Sequence, residues 1–207
     1  MSFAMGDPGD YARRAHDAGC LVMQQVTTRK LAEQAVACMA DVIVAQGSEA
    51  GGFSGFVSGL ALIPQVVDVA GSIPVLAAGG IADGRGLAAA LMLGAQGINF
   101  GTRFLTSVEA PVTDDWKRAL LTADPEETLK FDVWHEVFPQ AGGAYEVAPR
   151  MLYSPFAREW QRRHDDARNN AQELQAEIIG AISSGDLGKL FPFAGQTVGM
   201  ISDSPCR

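Results

Sequence analysis

The run PVLAAGGIADGRGLAAALMLGAQGINFGTRF, Pro74 to Phe104, decides the fold of this 207-residue chain. Val75 to Ala78 is a short apolar run suited to a strand covered on both faces, and Gly79 and Gly80 follow where such a strand ends. Asp83 is placed to cap a helix from Gly84 to Leu93, with Gly94 as its stop. Gly97 to Phe100 is a second strand, ending at Gly101-Thr102. Two glycine-bearing strand ends one βα unit apart leave backbone N–H groups uncovered beside a helix N-terminus, an arrangement that suits a dianionic phosphate. In (β/α)₈ barrels this place belongs to the loops after the last two strands.

The βα rhythm extends toward the N-terminus. Asp7-Pro8 is expected to open a helix closed by Gly19, followed by a strand at Leu21 to Val26. Thr28 caps a helix to about Met39, and Val42 to Ala45 is another buried strand. The segment 46–52, QGSEAGG, is a loop at that strand's carboxyl end, and a helix near Pro64 to Val69 leads into Val75. Such spacing implies a parallel sheet with right-handed crossovers and a ligand at the carboxyl ends of its strands. Past Phe104 the rhythm stops. Thr113-Asp114-Asp115 begins a helix through about Thr122, Phe131 to Tyr153 is aromatic-rich and hard to classify, and Phe156 to about Ser183 reads as one long helix. Its inward face is expected to carry Phe156, Trp160, Leu174, Ile178, Ile179 and Ile182.

Composition bounds the partners. A net charge of -8 with no unbroken basic cluster argues against nucleic acid and anionic membrane surfaces. Arg158, Arg162, Arg163 and Arg168 are interleaved with acids and read as a solvated helix face. Cys20, Cys38 and Cys206 show no metal-ligand or disulfide spacing, so a reducing cytoplasm fits. No membrane span or signal peptide is evident, and one domain is the simplest reading, with 1–110 as a partial barrel and 111–207 as a mostly helical extension.

Four motifs, AQGSEAGG at 45–52, LIPQVVD at 62–68, PVLAAGGIADGRGLAAAL at 74–91 and NFGTRFL at 99–105, occur in an order and spacing that resemble the nitronate monooxygenase family, which is similar to the flavin-dependent enoyl-acyl-carrier-protein reductases. PFAGQTVG at 192–199 resembles the family's C-terminal segment. The resemblance implies a (β/α)₈ barrel that holds FMN at the strand carboxyl ends and oxidises alkyl nitronates with molecular oxygen. It places Gln46 and Gly51 against the flavin or its ribityl chain, with Gln25 a less secure neighbour. Gly80 and the turn Asn99-Phe100-Gly101-Thr102 would hold the phosphate. Main-chain amides and a Gln side chain are chemically suited to those tasks. Arg103 is expected to be a structural ion-pair partner, and Glu49 to bond local backbone. The expected partners are a nitronate or other small organic substrate and oxygen, with a homo-oligomer compatible.

Two departures from the family pattern stand out. Phe53 occupies the position where the family has a histidine base after its glycine pair, and a phenyl ring cannot take a proton. His16, His135 and His164 are expected in packing or surface roles, His135 being the least improbable substitute. MSFAMGDP resembles the family's fourth strand, so about three βα units that normally precede it are expected to be absent. About five strands cannot close an eight-stranded barrel. The expectation is a portion of a longer chain, a self-pairing half-barrel being the alternative. Alternative functions are a flavin-dependent enoyl-thioester reductase, a degenerate family member that binds flavin without turnover, and, last, another phosphate-binding barrel.

Overall fold

The computed structural model describes residues 1–139 and 147–203, and Cys206 lies outside them. In chain order the elements are β1 (Ser2–Ala4), α1 (Asp10–Asp17), β2 (Met23–Val26), α2 (Arg29–Ala37), β3 (Val42–Gln46), β4 (Gly52–Ser54), α3 (Gly59–Ala70), β5 (Val75–Ala78), α4 (Gly84–Met92) and β6 (Gly97–Asn99). There follow α5 (Thr102–Leu105), α6 (Asp114–Thr122), β7 (Thr128–Lys130), α7 (Trp134–Val137), β8 (Ala148–Leu152), α8 (Pro155–Trp160), α9 (His164–Asn169), α10 (Ala171–Ser184) and α11 (Leu187–Leu190). The chain forms two compact units, one of residues 1–50 and 54–100, the other of 51–53, 101–139 and 148–203.

The first unit is a five-stranded parallel sheet in the order β1-β2-β3-β5-β6. It is the parallel sheet expected from the βα spacing, consistent with the partial α/β barrel that the resemblance implies, and each crossover is a helix packed on the sheet. In-register neighbours share a face. Val26, Ala45, Ala77 and Ile98 form one such row, and Ile43 and Val75 lie in another on the same side. That side is sealed by Ala12 and Ala15 of α1, Ala32 and Ala35 of α2, Leu62, Ile63 and Val66 of α3, and Ala90 of α4. Small alanines on α1, α2 and α4 let these helices lie close to the strands. Each large aliphatic side chain taken fully out of water there contributes about 1.5–3 kcal/mol.

Helix ends follow the sequence where a local cap exists. Thr28 Oγ1 accepts from Leu31 N, Asp83 from Arg85 N, and Thr113 Oγ1 from Trp116 N. Two starts differ from expectation. α1 begins at Asp10 instead of Pro8, because Asp7 Oδ1 accepts the Gly9 N–H and holds the chain in a turn first. α3 begins at Gly59, ahead of Pro64, because both oxygens of Glu49 accept the Gly59 N–H at 3.0 Å. Pro64 then sits inside the helix and forgoes one backbone bond.

The second unit is built on the three-stranded sheet β4-β8-β7, in which β7 and β8 run antiparallel. Its core is aromatic. Phe191 lies 5.4 Å from Phe156, 5.7 Å from both Phe131 and Trp134, and 6.2 Å from Phe193, ring centre to ring centre. The single long helix expected over 156–183 is instead three helices, α8, α9 and α10. Arg162 takes a left-handed conformation with φ 70°, and Gln161 is extended, which turns the chain after Trp160. The inward face of α10 is also narrower than expected. Leu174 and Ile178 are buried as expected, but Ile179 and Ile182 are 54% and 55% exposed.

Candidate functional site

The strand register sets the site. Gln46, Ala78 and Asn99 are partners across β3, β5 and β6, so three neighbouring strands end level at the carboxyl edge of the sheet. Gln46 is 7% exposed, and its Oε1 has no hydrogen-bond partner among the described residues. Leaving a buried carbonyl oxygen unpaired costs about 1–3 kcal/mol. A polar ligand edge is the kind of group that satisfies it.

Beside it, β5 runs into Gly79 (φ 88°) and Gly80 (φ 71°), both in the left-handed region that only glycine enters freely. Gly80 is exposed, and its N–H donates to no backbone group of the described residues. Asn99 is exposed and Phe100 half-buried immediately beyond β6. The sequence-predicted residues Gln46, Gly80, Asn99 and Phe100 are therefore brought to one edge. Gln25 sits on the same face as Val44, its partner in register, and is half-buried. Its neighbour Gln24 points to the helix side, with Nε2 donating to Gly6 O at 2.8 Å.

The loop leaving β3 is tied down along its length. Gly47 N donates to Ala78 O at 2.9 Å, Ser48 N to Val57 O at 2.8 Å, and Ala50 N to Gly47 O at 3.1 Å. Glu49 spends its carboxylate on α3, as expected for a backbone-bonding role.

In the second unit, Gly51 is needed for close packing. A Cβ there would lie 2.6 Å from Gly195 N and 2.7 Å from the Ala194 carbonyl carbon. Thr102 is buried, and its Oγ1 accepts the Gly195 N–H at 2.9 Å, which leaves the hydroxyl proton free to donate. Gly101 is exposed, and its N–H, like that of Gly80, makes no backbone bond among the described residues. Both Gly51 and Thr102 thus touch the PFAGQTVG segment, a connection that spacing along the chain did not reveal. Arg103 is ion-paired with Asp203 at 2.9 Å and also donates to its carbonyl. That guanidinium holds the Asp203 carboxyl below the usual aspartate range.

Phe53 packs edge-on to Trp134 at 4.9 Å and lies 6.0 Å from Phe193. Neither ring neighbour offers a group that takes up a proton. Two of the histidines are engaged with carboxylates. His16 Nε2 meets Asp41 at 2.9 Å, just before the amino end of β3 and so away from the strand tips. His164 pairs with Glu136 at 3.2 Å and Asp132 at 3.6 Å. His135 lies half-buried on α7. Among the described residues no cluster of metal-ligating side chains occurs, and no helix is long and apolar enough to cross a membrane.

The family profile for nitronate monooxygenase matches residues 1–135. A nitronate monooxygenase of Neurospora crassa is 34% identical over 224 aligned positions, covering 97% of this chain and 54% of its own. A hydroxy-methyl-oxo-octahydro-indene-carboxyl-CoA dehydrogenase of Mycobacterium tuberculosis is 44% identical over 130 residues, covering 62% of this chain and 37% of its own. Among solved structures, FabK from Thermotoga maritima superposes with a TM-score of 0.83 at 34% identity, over 98% of this chain and 62% of that one. The chain therefore spans about half or less of the length of these curated relatives.

Proposed function

This chain belongs to the nitronate monooxygenase family, an oxidoreductase family, and we propose that it carries the FMN-holding strand tips of an enzyme that oxidises alkyl nitronates with molecular oxygen. The observation that carries this reading is the buried, unpartnered Oε1 of Gln46 beside the left-handed Gly79-Gly80 turn, at the level edge of three parallel strands. The Gln46 amide would bond a polar edge of the flavin. The amide of Gly80 and the turn beginning at Asn99-Phe100 would take the phosphate, where fixed neutral donors suit a dianion without adding a charge of their own. The resemblance adds Gly51, Gly101 and Thr102 to the proposed set. Bound there, FMN supplies the electron transfer between nitronate and oxygen.

The test is to titrate the purified chain with FMN, following quenching of flavin fluorescence, and then to measure oxygen uptake with alkyl nitronates. Failure to bind FMN would sink the reading. Gln46→Ala sharpens it. Because the native oxygen is buried without a partner, the substitution should leave the ligand-free protein as stable as before, or more so by about 1 kcal/mol, while weakening FMN binding about tenfold. A loss of stability with unchanged FMN affinity would assign Gln46 a structural role instead.

Phe53 shapes the substrate requirement. With no base at that position, the chain cannot remove a proton from a neutral nitroalkane there, so the substrate must arrive as the anion. General bases typically contribute about 10²–10⁴ in rate, so oxygen uptake with neutral nitroalkanes should be slower than with the matching nitronates by about 100-fold or more. Comparable rates would place a base elsewhere.

A second reading has its own support. The aromatic surroundings of Phe53 suit an apolar substrate, and one relative is named as acting on a CoA thioester of a fused-ring acid. Flavin-dependent reduction of an enoyl thioester is therefore the alternative. Consumption of NAD(P)H with an enoyl thioester, without oxygen uptake on nitronates, would establish it.

A further inference from the structure

The second unit contains a cavity of about 620 Å³, within the size range of small-molecule sites. None of the residues lining it belongs to the strand tips. One part of its wall is apolar, with Val112, Trp116, Ala119, Leu152 and Pro192, and the rest carries polar and charged side chains.

The charges around this cavity are unevenly spent. Asp115 is paired with Arg118, and Asp186 with Lys189 at 3.0 Å. Glu127 accepts the Asp124 N–H at 3.0 Å, which fixes its carboxylate in a turn without cancelling its charge. Of the two cations in the lining, Lys189 is thus neutralised, whereas Arg158 has no carboxylate within ion-pairing distance among the described residues. Its guanidinium lies over the Tyr153 ring, 4.8 Å from the centroid. Stacking on an aromatic face fixes the plane of the guanidinium and leaves its N–H edge free for an anion.

We propose that this cavity binds a small apolar molecule bearing one carboxylate or comparable anionic group, with the anion on Arg158 and the apolar body against Trp116, Ala119 and Leu152. A preformed pocket with an apolar wall and one oriented guanidinium free of an ion pair recognises such a molecule by burying its body and pairing its head. The site makes no use of the flavin reading and stands or falls apart from it.

Calorimetric titration of the full chain with naphthoate, and with naphthylmethanol as the neutral molecule of the same ring system, tests this directly. The native chain should bind naphthoate saturably and at least about tenfold more tightly than the alcohol. Arg158→Gln should erase that difference while leaving alcohol binding unchanged. Thr122→Trp should abolish both, because Thr122 is an exposed lining residue whose hydroxyl bonds only its own helix, so a large side chain there fills the cavity without disturbing the core. Far-ultraviolet circular dichroism and the urea midpoint of each variant confirm that it is folded. Absence of saturable naphthoate binding, equal affinity for acid and alcohol, or undiminished naphthoate binding in Arg158→Gln would each overturn the proposal.

Discussion

Gly79→Val is expected to destabilise the chain by about 2–5 kcal/mol, a large part of the roughly 5–15 kcal/mol that holds a typical domain folded. Two effects combine. Gly79 has φ 88°, where a β-branched residue is strongly disfavoured. A Cβ there would also lie 2.9 Å from both the Cβ and N of Ala50 and 3.0 Å from Gly47 O. Relief would require moving the loop after β3, which backbone bonds to β5 and Val57 and the Glu49 carboxylate on α3 hold in place. Urea unfolding should show a much lower midpoint and a poor soluble yield. Gly84→Ala is the control: nothing lies within 4 Å of its Cβ position and its φ is ordinary, so it should be neutral or stabilising by up to about 1 kcal/mol. Equal behaviour of the two variants would mean that the tight turn after β5 is not formed.

Phe191→Ala should cost about 3–5 kcal/mol. The ring is 1% exposed and sits among Phe131, Trp134, Phe156 and Phe193, so truncation opens a cavity that four rigid neighbours cannot easily fill. Near-ultraviolet circular dichroism should weaken, since Trp134 loses one of its packing partners, and the denaturation midpoint should fall. Phe191→Leu should recover part of the loss, because much of the volume returns. A midpoint unchanged in the alanine variant would show that the aromatic core is not packed as described.

What was legible in the sequence is what local chemistry decides. Thr28, Asp83 and Thr113 cap helices with their own side chains, so α2, α4 and α6 could be placed closely from residue types alone. The buried strands β3 and β5, being short apolar runs that end at polar or glycine residues, were equally readable, and with them the position of Gln46 and Gly80. Features set by distant partners were not. The start of α3 depends on Glu49, ten residues before Gly59, reaching across a loop. The division of the expected 156–183 helix rests on a left-handed Arg162, a conformation that no propensity favours. Within α10, Leu174 and Ile178 reach the core while Ile179 and Ile182 stay exposed, a distinction set by what packs against the helix and not by residue type. Phe53 was recognisable as a missing base, but its place against Trp134 and Phe193 became visible only in three dimensions. In the same way Gly51 read as a turn or ligand glycine, whereas the structure shows it also making room for the backbone at 194–195.

The loop that follows β3 is held by main-chain bonds to β5 and to Val57, and by a carboxylate clamp on α3. A segment fastened in this way has already surrendered its conformational freedom during folding, so little ordering entropy remains to be lost when a guest settles against Gln46. Affinity at that edge is therefore governed by the quality of the polar match, and selectivity by rigid shape.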